Sequence, residues 1–192
     1  GDTERMAKLI AEAQDMDIDI LPPDVNESGQ LFQPVGQSIR FGLAGIKNVG
    51  AGAVRAIIDE REANGPYRGL SDVCTRLDGQ TVNRKVLECL VRCGAFDFTG
   101  QPRSRLFAGI ETAQAAAVSL QRDRRSGQQS LFAALDSGAG PVDELPEAES
   151  WPESRMLADE KELLGFYITG HPLTAHAWTL KTFNLADASA LE

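Results

Sequence analysis

Glycines at positions 50 and 52, with Val49 before them and Ala51 between, end a short apolar turn. They open an apolar run through Ala53, Ala56 and Ile57, with Leu43 and Ile46 at helical spacing upstream. Glycine lets a backbone turn sharply and approach a ligand with no Cβ in the way. A helix that starts there aims its unpaired N–H groups, and the positive end of its dipole, at whatever lies in front. That arrangement grips an anion such as a phosphate. Lys47 and Arg55 flank the turn and add positive charge. The other reading of the same residues is a tight connection between two packed helices.

No other stretch gathers reactive side chains in this way. Cys74, Cys89 and Cys93 have no metal-ligand spacing and leave one over if any two pair, so they read as reduced thiols. Cys89 and Cys93, four apart, share one helix face and read as buried. His171 and His176 lack a partnered Cys or Asp cluster, and His171-Pro172 reads as a turn. Asp15, Asp17 and Asp19 frame Ile18 and Ile20 and read as the solvent face of a strand. No catalytic constellation and no metal site is expected.

The elements that must position the turn emerge from periodicity. Met6, Leu9, Ile10 and Ala13 predict a helix over residues 3–15, and Ile18 to Leu21 a short strand ended by Pro22-Pro23. Residues 24–29 are turn chemistry, and Ile39, Phe41 and Leu43 alternate into the glycine turn. The helix after the turn runs to Asn64, where Gly65-Pro66 stops it. A short helix over 71–77 is expected to take Ser71 as its N-cap, and Val82, Val86, Leu87, Leu90 and Val91 form the apolar face of a helix over 82–92. Cys93-Gly94-Ala95-Phe96-Asp97 then repeats the turn in degenerate form ahead of a helix over 102–120. The unit is the shape of a helix-hairpin-helix, present twice between residues 43 and 120. Paired copies make sense because one hairpin buries too little to fold alone.

Residues 121–129 are polar, and 136–153 are Gly, Pro and acid, which reads as a mobile linker. Within it lies one apolar island, Leu131 to Leu135. Met156 to Phe166 predicts a last helix ending near Gly165, with a turn after it over 169–173.

At 192 residues the chain has room for one core with appendages or two small units. Its net charge of −9 is unevenly spread. Residues 1–39 hold 2 basic and 8 acidic side chains, and residues 107–192 hold 6 and 13. Residues 40–106 hold 11 basic against 7 acidic, so the one basic window coincides with the hairpins. No run reaches the roughly 18 apolar residues of a membrane helix.

Four stretches, in order, resemble one family: residues 23–28 (Pro-Asp-Val-Asn-Glu-Ser), 42–50, 87–97 and 160–173 (from Glu160-Lys161-Glu162 to Gly170-His171-Pro172-Leu173). The family is the catalytic α subunit of bacterial DNA polymerase III, and the matches span nearly the whole chain. The resemblance implies an excised piece, mainly α: a tandem helix-hairpin-helix domain with short strands on its N-terminal side and a flexible linker. Its expected divisions are 1–38, the end of the fingers and a connector; 39–120, the hairpin domain; 121–155, the linker; and 156–192, the approach to an OB domain. Residues 1–38 accordingly read as the tail of a preceding domain.

On this reading Val49, Gly50, Ala51 and Gly52 supply backbone N–H groups to duplex DNA, with Lys47 and Arg55 beside them and Arg84, Lys85, Arg103 and Arg105 around the second hairpin. Gln128-Gln129-Ser130-Leu131-Phe132 resembles the pentapeptide Gln-Leu-(Ser/Asp)-Leu-Phe of bacterial sliding-clamp binders at four of five positions. Leu131 and Phe132 would fill an apolar cleft while Gln128 hydrogen-bonds; the alternative is that they tuck onto a neighbouring helix. The implied partners are the β sliding clamp, primer-template duplex and the rest of the polymerase and its holoenzyme, in the cytoplasm and with no membrane. The palm and its Mg²⁺ would lie upstream, so the piece alone is expected to be inactive and to hold no cofactor, although related hairpins bind a monovalent cation on backbone carbonyls. Two departures stand out. Asn48 occupies the place of the first hairpin glycine, a mild change because Asn tolerates positive φ. The second hairpin lacks its second glycine. Rival readings are a helical interaction scaffold without DNA contact, a DNA-repair module of the same fold, and an error-prone paralogue of the subunit.

Overall fold

The computed structural model describes residues 16–125, 143, 145–170 and 172, with 8, 10, 12 and 13 of the opening stretch. Those four opening residues are helical. The fold is mainly α, with a small sheet on the N-terminal side. Strands β1 (Ile20–Leu21), β2 (Gln33–Val35) and β3 (Ser38–Arg40) lie in the order β1-β3-β2. β1 runs parallel to β3, with Ile20 opposite Ile39, and β2 is antiparallel, with Val35 opposite Ser38. Periodicity does not reveal the β2–β3 hairpin, because Pro34 sits at the centre of β2. Proline is tolerated there because β2 is an edge strand.

A 3-10 turn at Leu43–Gly45 leads into helix α1 (Ala51–Asn64), followed by α2 (Leu70–Arg76) and α3 (Arg84–Arg92). A second 3-10 turn, Asp97–Thr99, precedes α4 (Arg103–Arg125), and α5 is Glu153–Leu164. Gly65 and Gly165 end α1 and α5 with φ of 84° and 94°, as the sequence requires. α4 runs five residues beyond its expected end, because Gln121 to Arg125 continue it with nothing to break it.

One apolar core joins these elements. Leu43, Ile46, Ile57, Leu70, Leu87, Leu90, Phe96, Leu106, Ile110 and Leu163 are all buried in a single cluster. The 24–29 turn is part of this framework. Asn26 and Tyr67 exchange two hydrogen bonds, Nδ2 to the Tyr67 carbonyl at 2.9 Å and the Tyr67 amide to Oδ1 at 2.7 Å. Arg61 donates to the carbonyls of Val25 and Ser28 at 2.7 and 2.6 Å. The Ser28 hydroxyl, itself fully buried, donates to the Phe41 carbonyl at 2.7 Å.

Two expectations change. Ser71 does not cap α2: Gly69 stands at the N-cap, and the capping carboxylate comes from Asp143, which accepts from the amides of Leu70 and Ser71 at 2.9 and 2.7 Å. Nor are residues 145–147, within the stretch read as linker, loose. Residues 145–147 run along α4, where Arg105 donates to the carbonyls of Leu145 and Pro146 and pairs with Glu147. Leu145 packs over Gly109, where a Cβ would lie 2.7 Å from its Cδ2. Composition reads these residues as linker because it registers how little they bury, not the individual bonds that hold them.

Candidate nucleic-acid interface

The first hairpin bends at Asn48, whose φ is 66°. L-residues adopt that conformation at a cost, and for Asn the cost is smaller than for most. Asn48 therefore carries out the turn that the missing glycine would have made. The glycines at 50 and 52 do not: Gly50 has φ −72° and ψ 156°, open to any residue. A Cβ at either position would meet nothing within 4 Å. Neither the backbone nor the packing of this chain asks for glycine there. What the two glycines do is leave a bare, exposed strip of backbone at the start of α1.

That helix start is also left electrically open. α3 is capped by Asn83 Oδ1, which accepts from the Val86 amide at 3.1 Å, and α2 by Asp143. α1 has no side-chain cap and no acidic residue in its first turn. The amides of Gly50 to Ala53 have no acceptor among the described residues, and the positive end of the dipole faces outward. Val49 is buried and anchors the strip, but, contrary to the expectation, its own amide is not free: it donates to the Ile46 carbonyl at 3.2 Å. An anion meeting three or four converging N–H groups without a Cβ in the way is held by backbone geometry alone.

Among the described residues Lys47 and Arg55 are exposed and form no ion pair, so both are available beside the strip. Asn48 approaches α3, with its Nδ2 4.0 Å from Cys89 Sγ, which brings the exposed Lys85 one turn away to the same side. Glu162 at the end of α5 feels Lys47 and Lys85, and its carboxyl is held below the usual range chiefly by the hydrogen bond from Arg92. Arg84 is exposed but shared between Glu88 and Glu111 at 3.0 and 3.2 Å.

The second hairpin is arranged differently. Gly94 has φ 86°, and a Cβ there would sit on the Arg103 guanidinium and 2.7 Å from Asp97 Oδ2. Arg103 is only 7% exposed, pairing with Asp97 at 2.6 Å and with Glu160 of α5 at 3.3 Å. It is thus withdrawn from any phosphate, contrary to the expectation, because two carboxylates and the Arg92 carbonyl already take its donors. Arg105 is likewise taken up by residues 145–147. Arg92 meets Asp159 at 2.5 Å and Glu162 at 2.6 Å, and these two carboxylates hold its pKa up. Where the first hairpin opens to solvent, the second is filled by the chain's own acids.

Gln128, Gln129, Ser130, Leu131 and Phe132 lie outside the described residues. The three cysteines are free thiols, and Cys89 and Cys93 are buried as expected; Cys74 is buried as well, and burial pushes Cys74 and Cys93 up to about 12. Among the described residues, no helix is long and apolar enough to cross a membrane.

Residues 17–106 match the family described as helix-hairpin-helix motif. The chain is 44% identical over 90% of its length to DNA polymerase III subunit alpha of Thermus aquaticus. It is 36% identical over 99% to that of Xylella fastidiosa, and 38% over 93% to that of Mycobacterium tuberculosis. It spans 14 to 16% of the length of these curated relatives.

Proposed function

From a chain that carries a helix-hairpin-helix motif and matches DNA polymerase III subunit alpha along most of its length, we infer a segment of a replicative polymerase that holds duplex DNA by its backbone. The observation that supports this most directly is the uncapped start of α1, with two glycines that nothing inside the protein requires. The free amides of Gly50 to Ala53 face one phosphate, and Lys47 and Arg55 supply charge to its neighbours, with Lys85, 3.9 Å from Glu88, beside them. Contacts of this kind set position and carry no sequence information, which suits an enzyme that must travel over every sequence. Arg84 is a secondary contact, since it would have to leave Glu88 and Glu111. Polymerisation is assigned to the remainder of the longer protein.

Tethering to a sliding clamp by Gln128 to Phe132 is the second part of the reading, and it rests on the sequence. A clamp tether beside a duplex grip raises the effective concentration of enzyme at the primer end.

Two titrations test the reading. Duplex DNA of unrelated sequences should bind with similar affinity, weakening steeply with salt; absence of binding at low salt would leave a helical scaffold. Calorimetric titration into sliding clamp should give a dissociation constant near micromolar, about −8 kcal/mol, lost in a Leu131→Ala/Phe132→Ala variant. No heat at high concentration would remove the tether from the reading.

A further inference from the structure

In sequence, helix α5 comes well after both hairpins. In space its last turn stands directly behind the first hairpin. The Lys47 amide, in the middle of the hairpin, donates to the Leu163 carbonyl at 2.9 Å. Phe166, just past the helix, packs on Phe41 with ring centroids 5.6 Å apart. Phe41 in turn lies under the 3-10 turn that leads into the hairpin, close enough that a Cβ on Gly45 would be 2.8 Å from its Cζ. So the hairpin is held at its middle by a backbone hydrogen bond and at its entry by a tilted pair of rings, both from residues 163–166.

The position of those residues is set by one carboxylate. Glu160 is 1% exposed. Its Oε2 accepts from the amides of Ile168 and Thr169 at 3.0 and 3.1 Å, and its Oε1 accepts from the Thr169 hydroxyl at 2.8 Å and faces Arg103 Nη1 at 3.3 Å. It folds the 165–169 turn back on α5 and fastens both to α4. A charge buried this deeply is costly unless all its bonds are made, so its geometry tolerates little slack.

We propose that Glu160 is a positioning residue for the first hairpin: through the 165–169 turn it places Leu163 and Phe166, and through them the amides that grip the phosphate. Glu160 touches no DNA. The inference deepens the duplex-binding reading and depends on it. It also makes α5 the element through which any displacement of the chain after residue 169 reaches the hairpin.

The test is Glu160→Gln in the full 192-residue chain, with Thr169→Val as a milder variant that removes only the hydroxyl donor, and Ser154→Ala on the exposed start of α5 as control. Two readouts are taken: native-state amide exchange at Lys47 against Ile57 in the middle of α1, and affinity for duplex DNA across a salt series. Loss of positioning opens Lys47 selectively and weakens DNA by roughly three- to thirtyfold, as for coupled sites that share no ligand contact, with an unchanged salt slope because no phosphate contact is removed. Thr169→Val shows the same pattern to a smaller extent, and decides the matter if Glu160→Gln does not fold. Equal acceleration at Lys47 and Ile57 would mean a general loss of stability and would overturn the inference. So would wild-type DNA affinity in a variant whose Lys47 amide has opened. If the wild-type chain itself binds no duplex, the hairpin reading fails first and the inference falls with it.

Discussion

Arg103 and Glu160, 57 positions apart in sequence, face each other at 3.3 Å with both side chains shut off from water. The pair ties the start of α4 to the middle of α5, and Asp97 completes it from the second hairpin. In a repeated motif one expects the same role twice. Here the second copy has turned its arginine inward and become the seat for a helix of the same chain.

Removing one member of this pair leaves the other charge buried. Arg103→Met is expected to lower stability by about 3–5 kcal/mol, read as a fall in urea midpoint at constant slope. The double variant Arg103→Met/Glu160→Leu should recover much of that, since an apolar pair of similar volume does not have to be desolvated. A single variant as stable as the wild type would remove the buried pair from the account of the fold.

Gly52 separates function from stability. Nothing lies within 4 Å of a Cβ at that position, and the residue is helical. Gly52→Ala should therefore stabilise the protein by about 0.5–1 kcal/mol while weakening duplex binding, because the added methyl stands between the backbone and the phosphate. Stabilisation with undiminished binding would show that the phosphate does not approach there.

Asn48 tests the turn. With φ at 66°, Asn48→Gly should be close to neutral. Asn48→Val forces a β-branched residue into the left-handed region and should cost about 1–3 kcal/mol. Thermal unfolding of the three proteins ranks them; a harmless valine would mean that the hairpin relaxes out of the left-handed turn.

Asp143 joins residues far apart in sequence to one helix end. Asp143→Ala should cost about 1–2 kcal/mol, as for a lost N-cap, and expose residues 145–147 to protease. Gly69→Ala should do similar damage, since its Cβ would sit on the Asp143 carboxylate. The two changes remove the same contact, so the double variant should fall well short of the sum.

Cys74 and Cys93 give the pH dependence. Burial raises both thiols from an ordinary value of 9.0 to about 12, so the folded state holds these protons more tightly than the unfolded one. Their contribution to stability is complete below about pH 9 and is lost as pH rises towards 12. Denaturation at a series of alkaline pH values should show the decline, and Cys74→Ala/Cys93→Ala should flatten it. At neutral pH both thiols should react with a thiol reagent only on unfolding, because the thiolate is the nucleophile.

Much of this protein is local and therefore visible in its sequence. Apolar spacing placed α1, α3 and α5 within a few residues, because a helix declares itself by which of its own positions are buried. Gly65-Pro66 and Gly165 marked helix ends, because stopping a helix is a matter of one residue's φ. The open helix start was equally legible near Val49 to Gly52, since it needs only free amides and no side chains, although the amides left free are those of Gly50 to Ala53. What the sequence left open were the partners of its charges. Arg55 and Arg103 look alike in a line of text, yet one points to water and the other lies between Asp97 and Glu160. Asp143 sits in a stretch that reads as linker and caps a helix more than seventy positions earlier. Glu160 belongs to an acidic helix and governs a turn behind the hairpin. Each of these depends on which elements the core brings together. Charges find their partners only after the apolar surfaces have chosen theirs, so that assignment belongs to the tertiary structure.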